Sequence, residues 1–308
     1  MKLPHLVHLK PINCRGPFFA ITGCILLAGG KNVNEYGMLE AMKERENGRE
    51  RFEVEKARGY FQREGIEMVL FDMDSTLVKT TEGFRESINE FCQWVKEESG
   101  SEDEAEEIQR KFLEIYGPLR AEFGVYPVIS EVIAENVRRQ YGLAEDERYE
   151  QAVKELMEIY RSPFEICGGA KEMVEVVFGS GVRTGVVTIA DDEWTKIKMR
   201  EYFFGKFEGQ YCIDTMGKKD VAAWKKGLER FGVEAEKVMV VGDSWWGDIV
   251  PALELGVKKV VWINEKGEDH KDERVIEIRG IKELSKVWLD GATPGNRTQD
   301  LLFTKQPL

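Results

Sequence analysis

Four short apolar runs, separated by longer amphipathic stretches, constrain the fold of this chain more than any other feature. Each run has strand length and is rich in valine and isoleucine. The runs are 68–73, 183–188, 238–242 and 258–262, and helical patterns occupy 169–179, 192–202, 220–231 and 248–255. Apolar strands alternating with amphipathic helices predict a parallel sheet covered on both faces. We therefore expect an α/β fold with a Rossmann-like core, whose site lies beyond the carboxyl ends of the strands.

One segment, residues 79–165, interrupts this alternation directly after the first run. It lacks strand patterns and shows four helical ones, at 82–98, 102–117, 128–141 and 146–161. We interpret it as an inserted all-helical cap domain, of the size of a small helical bundle, that covers the strand ends as a lid. The core would then consist of residues 68–78 plus 166–289.

The two ends of the chain differ from this pattern. The apolar run 17–30 is shorter than the ~20 residues of a membrane span, and its apolar residues continue beyond Cys24, against a signal peptide. Residues 1–67 are expected to be a mis-assigned start, a disordered segment or a loosely attached extension, with a solvated helix over 36–64. The tail 290–308 is expected to be disordered, and the sequon at Asn296 is attributed to chance.

Composition excludes several classes of function. The 308 residues carry a formal charge of −12, which argues against nucleic-acid binding. A serine triad or a histidine-rich zinc centre would depend on His270, because the other two histidines lie at the N-terminus. The five cysteines form no CxxC pair, which favours a reducing compartment and a cytoplasmic location. Catalysis is expected to use carboxylates and a hard metal ion.

A pair of aspartates, Asp72 and Asp74, follows the first apolar run. Residues two apart at a strand end point to the same side, so both carboxylates can face one reacting centre. Unequal pKa values would let one act as nucleophile or metal ligand and the other carry a proton. Helix capping in a strand-to-helix loop is the alternative explanation.

Three further elements follow in order. Thr188 closes the second run, where its hydroxyl could hold a phosphoryl oxygen, although strand propensity also explains a threonine there. Lys218 precedes the helical stretch 220–231 and could neutralise phosphate and carboxylate charge, with the adjacent Lys219 as a rival. Asp243 and Asp248 follow the third run and offer oxygen ligands for a magnesium-like ion, with helix N-capping as the alternative.

Together these elements resemble the haloacid dehalogenase superfamily, in the phosphatase branch with a helical cap after the first motif, over about residues 68–289. The resemblance implies an aspartyl-phosphate formed on Asp72, with Asp74 as general acid and then base. It implies that Thr188 and Lys218 bind the phosphoryl group. It assigns a Mg²⁺ site to Asp72, Asp74 through its backbone carbonyl, Asp243 and Asp248.

The sequence departs from the family pattern at two positions. Ile189 stands where relatives often carry Asn or Ser, and Ser75 stands where many carry Gly or Asp. The segment 72–76 resembles phosphoserine phosphatases, whereas 242–248 resembles the phosphoglycolate-phosphatase type. Dehalogenation is disfavoured, because dehalogenases lack the second aspartate that Asp74 provides.

These features predict a Mg²⁺-dependent phosphatase that acts on a small phosphorylated metabolite, with no nucleic-acid or membrane partner. A phosphotransferase or mutase would use the same residues. A phospho-accepting signalling module and an interaction protein without activity are the non-enzymatic alternatives. Lys79, Arg85 and Arg120 could bind an anionic substrate from the cap or be solvated charges. Trp245 and Trp246 could line the mouth of the site or pack against the cap or core.

Overall fold

The computed structural model describes residues 35–123, 127–159, 165–213 and 217–289, with side chains from residue 48 onward apart from 120–128. Contacts divide the chain into two units, Met1–Asn47 and Gly48–Leu308, and the described part of the first unit, residues 35–47, is helical. The apolar run 17–30, the tail 290–308 and Asn296 lie outside the described residues. No helix in the described part is long and apolar enough to cross a membrane.

A six-stranded parallel sheet forms the centre of the second unit. Its strands are β1 Met68–Phe71, β2 Arg183–Ile189, β3 Gln210–Ile213, β4 Val238–Gly242, β5 Lys259–Ile263 and β6 Val275–Ile278. The order across the sheet is β3-β2-β1-β4-β5-β6, and every pairing is parallel. This topology confirms the predicted α/β, Rossmann-like fold.

Alternate residues of the strands pack into two separate apolar clusters. Val69 and Phe71 of β1 belong to one cluster, whereas Met68 and Leu70 belong to the other. This alternation follows from the two-residue repeat of a strand whose faces are both covered. Helix α1 spans Glu35–Glu64, and its part from residue 48 onward flanks the sheet. The other flanking helices are α6 Ala170–Gly179, α7 Asp192–Phe203, α8 Val221–Phe231, α9 Val250–Glu254 and α10 Lys286–Leu289.

The segment between β1 and α6 is helical and has a core of its own. Its helices are α2 Thr80–Ser99, α3 Ala105–Phe123, α4 Pro127–Gln140 and α5 Glu147–Glu158. Their apolar faces form a third cluster, which includes Ile88, Phe112 and Ile133. Helix α2 ends at Gly100, which adopts the left-handed conformation common at helix ends. The helical insert predicted from the sequence is therefore present.

The two linkers of the insert lie side by side. Val78 forms bridges with both Asp74 and Ile166, and the Lys79 amide donates to the Glu165 carbonyl at 2.8 Å. The Cys167 amide donates to the Leu77 carbonyl at 2.9 Å. Backbone pairing therefore holds the two linkers of the insert together beside the carboxyl end of β1.

The part of α1 from residue 48 onward is integral to the core, contrary to the expectation of a loosely attached extension. Ala57, Tyr60 and Phe61 are at most 4% exposed and belong to the same cluster as Val69. The Arg58 guanidinium also donates to backbone carbonyls at the end of α6, with Nε 3.1 Å from the Ser180 oxygen. The predicted boundary at residue 68 is therefore wrong for residues 48–67, because one face of the charged helix is apolar.

Candidate active site

Asp72 and Asp74 follow β1 at the carboxyl edge of the sheet. The Asp72 amide donates to the Val241 carbonyl at 2.9 Å, which extends the pairing with β4 and fixes the residue beside that strand. Asp72 is buried, and Asp74 is half-buried. Ser75 then turns the chain with a φ of +65°, a conformation that a glycine adopts more readily. This turn directs the chain back towards the insert.

The lysine that contacts Asp72 is Lys219, so the prediction of Lys218 at this position is wrong. Lys219 is 8% exposed, its Nζ donates to Asp72 Oδ1, and it lies 2.5 Å from Asp248 Oδ1. Lys218 is exposed. Asp220, the next residue, caps α8 by accepting from the Ala223 amide. The structure therefore selects the second of two adjacent lysines.

Two more carboxylates come from the end of β4. Asp243 accepts a hydrogen bond from Thr76 Oγ1 at 3.3 Å, and its backbone carbonyl accepts from Trp262 Nε1 at 2.9 Å. Asp248 lies in a turn of π-helix, Trp245–Ile249, and is fully buried. Its Oδ2 accepts from the Ser244 amide at 3.0 Å. The short GDSWWGD segment therefore folds back so that both of these aspartates approach Asp72.

Asp72, Asp243 and Asp248 form a compact group whose ligand oxygens all lie within 4.8 Å of one another. Burial raises the pKa of Asp72 well above its usual value, and the neighbouring carboxylates Asp248, Asp243 and Asp74 add to this rise against the effect of Lys219. Burial and Asp248 likewise raise the pKa of Asp243 to about 6. Three converging carboxylates fit a hard divalent cation, which would compensate the charge that burial makes costly on Asp72 and Asp243.

Lys219 remains charged in this environment. Burial alone would lower the pKa of its ammonium group, but Asp248 and Asp72 outweigh this effect and raise the pKa above its usual range. A buried cation held between two carboxylates cannot rotate away without leaving both of them unpaired. Lys219 therefore provides a fixed positive charge next to Asp72.

Asp74 points to a different set of partners. Its Oδ1 accepts hydrogen bonds from Lys198 Nζ and, at 2.5 Å, from Thr80 Oγ1 at the start of α2. Lys198 is 1% exposed. Neither Lys198 nor Thr80 was singled out from the sequence, because a lysine on an amphipathic helix and a threonine at a helix start are common surface residues. The two carboxylates of the first motif thus occupy distinct electrostatic environments.

Thr188 lies near the end of β2, where it is 1% exposed and pairs in register with Cys212 of β3. Phe71 is in register with Val186, so Thr188 lies two positions further along the neighbouring strand, level with the start of the aspartate motif. Ile189, which follows it, is half-buried and packs against the apolar cluster of α8. The side chain of Ile189 therefore contributes to packing.

Aromatic residues flank the β4 side of the site. His270 stacks on Trp245 with centroids 4.9 Å apart, and Trp245 packs edge-on against Trp262. Trp245 is buried, whereas Trp246 is 70% exposed and contacts His270 through its edge. One tryptophan of the pair therefore packs in the core and the other lies at the surface.

A cavity of about 610 Å³ extends from this site between α2 and the loops after β5 and β6. Thr76 and Asp243 lie at one end of it, and its lining is strongly charged. The basic side chains in the lining are Lys79, Arg85, Lys266, Arg279 and Lys282, and the acidic ones besides Asp243 are Glu82, Glu265, Glu268 and Glu283. Lys79 pairs with Glu165 at 2.9 Å. Arg120 lies outside the described side chains.

The chain resembles known proteins in both sequence and fold. It is 30% identical over 113 residues to the glyceraldehyde 3-phosphate phosphatase of Methanocaldococcus jannaschii, an alignment that covers 35% of this chain and 49% of the relative. The chain thus spans about half the length of this curated relative.

Two solved structures share the fold. A haloacid dehalogenase-like family hydrolase from Xanthomonas campestris matches with a TM-score of 0.58 and 20% identity, over 72% of this chain and 90% of that one. The 2-haloacid dehalogenase from Pseudomonas syringae matches with a TM-score of 0.53 and 22% identity, over 74% and 100% of the two chains. Residues 66–256 match the model of the haloacid dehalogenase-like hydrolases. The chain therefore belongs to the haloacid dehalogenase-like hydrolase family.

Proposed function

We propose that this hydrolase is a Mg²⁺-dependent phosphatase that cleaves a small phosphate monoester through an aspartyl-phosphate on Asp72. The observation that carries this proposal is the arrangement around Asp72. This buried carboxylate contacts the buried Lys219, and oxygens of two further carboxylates, Asp243 and Asp248, lie within 4.8 Å of it and of each other. The related phosphatase from Methanocaldococcus jannaschii supports phosphate ester chemistry over haloacid chemistry.

The metal would be held by Asp72, Asp243 and Asp248, and by the backbone carbonyl of Asp74 where the family resemblance places it. When bound, Mg²⁺ supplies positive charge beside the phosphoryl oxygens and Asp72. The three ligand carboxylates at 72, 243 and 248 meet one buried lysine, Lys219, so this group carries a charge of −2 when it is fully ionised. A single divalent cation balances that charge.

The first half-reaction transfers the phosphoryl group to the protein. An oxygen of Asp72 attacks phosphorus, the bond from phosphorus to the ester oxygen breaks, and its electron pair remains on the leaving oxygen. Asp74 donates its proton to that oxygen, which removes the need for a good leaving group. Lys219 and Thr188 stabilise the charge on the transferring group, in the roles that the resemblance assigned to Lys218 and Thr188.

The second half-reaction regenerates Asp72. Asp74, now ionised, takes a proton from a water molecule, whose oxygen attacks the phosphorus of the aspartyl-phosphate. The bond between phosphorus and Asp72 breaks, inorganic phosphate leaves, and Asp74 is protonated for the next cycle. Transfer to an alcohol in place of water would give a phosphotransferase or mutase with the same residues, so the products must be identified directly.

The cavity beside Thr76 and Asp243 supports a small substrate. Its volume of about 610 Å³ lies in the range of pockets for metabolites, and its charged lining suits a polar remainder of the ester. The helical insert, whose first helix contributes Arg85 to this lining, would act as the lid that excludes water.

Release of p-nitrophenolate from p-nitrophenyl phosphate in the presence of MgCl₂ tests this proposal. Asp72→Asn should abolish release, because an amide does not form the acyl phosphate. Asp269→Asn is the matched control, since Asp269 is 81% exposed and pairs with Lys271 on the surface. Mass spectrometry of the protein quenched in acid should detect phosphate on Asp72. Absence of turnover on p-nitrophenyl phosphate and on a broad panel of metabolite phosphates would contradict the proposal.

A further inference from the structure

One buried cation near the site belongs to none of the sequence motifs. Lys198 lies on α7 and is 1% exposed, and its ammonium group donates to Asp74 Oδ1. The same group lies 3.4 Å from Thr80 Oγ1, the hydroxyl at the start of α2. Lys198 therefore joins three parts of the molecule, which are the helix after β2, the aspartate motif after β1 and the first helix of the insert.

The environment of Lys198 holds its ammonium group in place. Trp194, one helical turn earlier on α7, presents its ring face to Lys198 Nζ at 3.7 Å from the centroid. Asp191 caps the same helix by accepting from the Trp194 amide at 3.0 Å. An ammonium group excluded from water is costly unless it is paired. The ammonium group of Lys198 therefore contacts both the Trp194 ring and the Asp74 carboxylate.

The contacts of Asp74 are asymmetric. Its Oδ1 accepts from both Lys198 and Thr80, and no hydrogen bond to Oδ2 is found among the described residues. Two donors on one oxygen fix the plane and direction of the carboxyl group. The second oxygen remains available for proton exchange.

We propose that Lys198, together with Thr80, is a positioning residue that orients Asp74 so that Oδ2 exchanges the proton with the leaving oxygen. This inference rests on the proposed phosphatase reaction and on the role of Asp74 within it. In this role Lys198 contacts Asp74 Oδ1 and acts on the leaving oxygen only through the orientation of Asp74.

The inference predicts an effect that depends on the leaving group. When the ester bond breaks, protonation of the leaving oxygen accelerates the reaction more if that oxygen is more basic. Phenyl phosphate and p-nitrophenyl phosphate have nearly the same shape, but phenolate is more basic than p-nitrophenolate. Displacement of the general acid should therefore slow release of phenol more than release of p-nitrophenol.

Release of the leaving group in the first turnover isolates this step, and we would measure it with both esters for Lys198→Met. The expected loss is roughly ten-fold greater for phenyl phosphate, part of the 10²- to 10⁴-fold that proton transfer typically contributes. The KM values should change little. Thr80→Val should show the same preference more weakly, and Thr80→Ser, which keeps the hydroxyl, should restore the wild-type ratio.

Lys196→Met is the matched control, because Lys196 lies on the same helix, is 50% exposed and pairs with Asp192 at 2.7 Å. It should leave both rates unchanged. Thermal unfolding of each variant would identify a loss caused by misfolding. The positioning role would be overturned if folded Lys198→Met slowed equally on both esters. It would also be overturned if Lys198→Met and Thr80→Val both kept wild-type rates. Failure of the wild-type protein on both esters would instead contradict the proposed function.

Discussion

Gly242 and Asp248 pack so closely that a Cβ added at Gly242 would lie 2.5 Å from the carboxyl carbon of Asp248. The glycine at the end of β4 therefore allows the fully buried Asp248 carboxylate to rest against the backbone while it pairs with Lys219. A side chain at position 242 would displace Asp248 from the carboxylate group around Asp72.

Gly242→Ala should for this reason reduce both Mg²⁺ affinity and turnover, and destabilise the fold by about 1–3 kcal/mol, as overpacking usually does. Calorimetric Mg²⁺ titration and chemical unfolding would measure the two effects. Gly59→Ala is the control, because Gly59 lies on the exposed side of α1 with nothing within 4 Å of an added Cβ. That variant should gain about 0.5–1 kcal/mol from reduced backbone entropy. Normal Mg²⁺ binding in Gly242→Ala would contradict the packing argument.

The adjacent lysines give a direct test of the corrected assignment. Lys219→Met should lower kcat by roughly 10²- to 10³-fold, comparable to the loss of a single stabilising donor in other enzymes. Lys218→Met should remain within about two-fold of wild type, because Lys218 is exposed and surface substitutions are usually mild. Steady-state kinetics on p-nitrophenyl phosphate would measure both. The reverse order of effects would return the role to Lys218.

Metal binding should depend on pH, because a proton on the cluster of Asp72, Asp243 and Asp248 competes with the metal ion. The pKa of Asp243, raised to about 6 by burial and Asp248, means that this carboxyl is protonated in mild acid when no cation is bound. Mg²⁺ must displace that proton, so its affinity should fall markedly between about pH 7.5 and about pH 5. Calorimetry in buffers of different ionisation enthalpy would count the protons released. Equal affinity at both pH values would be inconsistent with this expectation.

The same raised pKa sets the sign of an effect on stability. The folded protein without metal holds the Asp243 proton more tightly than the unfolded chain, whose carboxyl has the ordinary value of 3.8. This contribution to the free energy of unfolding is present below about pH 4 and is lost as the pH rises through 6. Asp243→Asn should flatten this part of the pH–stability curve, and saturating Mg²⁺ should raise stability most at neutral pH. Chemical unfolding at a series of pH values, with and without Mg²⁺, would show both.

Substitutions in the apolar face of α1, far from the active site, should lower the free energy of unfolding strongly. Phe61 is 2% exposed and contacts Tyr60 and Trp288 through their rings, so Phe61→Ala should cost about 3–5 kcal/mol. Phe52, on the same helix, is 55% exposed, and Phe52→Ala should change stability by no more than about 0.5 kcal/mol. Urea unfolding of the full chain would compare them. Equal stability of the two variants would mean that α1 is not part of the folded core.

Much of the core could be predicted, because buried parallel strands are recognisable as continuous runs of valine and isoleucine. β1, β2, β4 and β5 all carry this signal. The two edge strands β3 and β6 were missed because they have only four residues each and include polar or half-buried positions. The helical stretch expected at 248–255 is instead a turn of π-helix followed by the short α9, since Asp248 must fold back onto Gly242.

The sequence predicts the site residues that directly follow a strand. It does not predict those whose role depends on the direction in which the side chain points. Asp72, Asp243 and Asp248 come together as the strand order requires. Of the two adjacent lysines, Lys219 is buried against Asp72 and Lys218 is exposed, and the sequence alone does not distinguish them. The role of Lys198 depends on which face of α7 meets Asp74, and that follows from packing across 124 positions of sequence.

The bridges from Val78 to both Asp74 and Ile166 have a mechanical consequence. We expect any rigid-body motion of the helical insert to hinge at its two paired linkers, because backbone bridges join them there. Asp74 lies beside this hinge. A residue beside a hinge moves least, so under the proposed function Asp74 would keep its orientation while the insert opens and closes. Opening of the insert to admit substrate would then leave the position of the Asp74 carboxyl group unchanged.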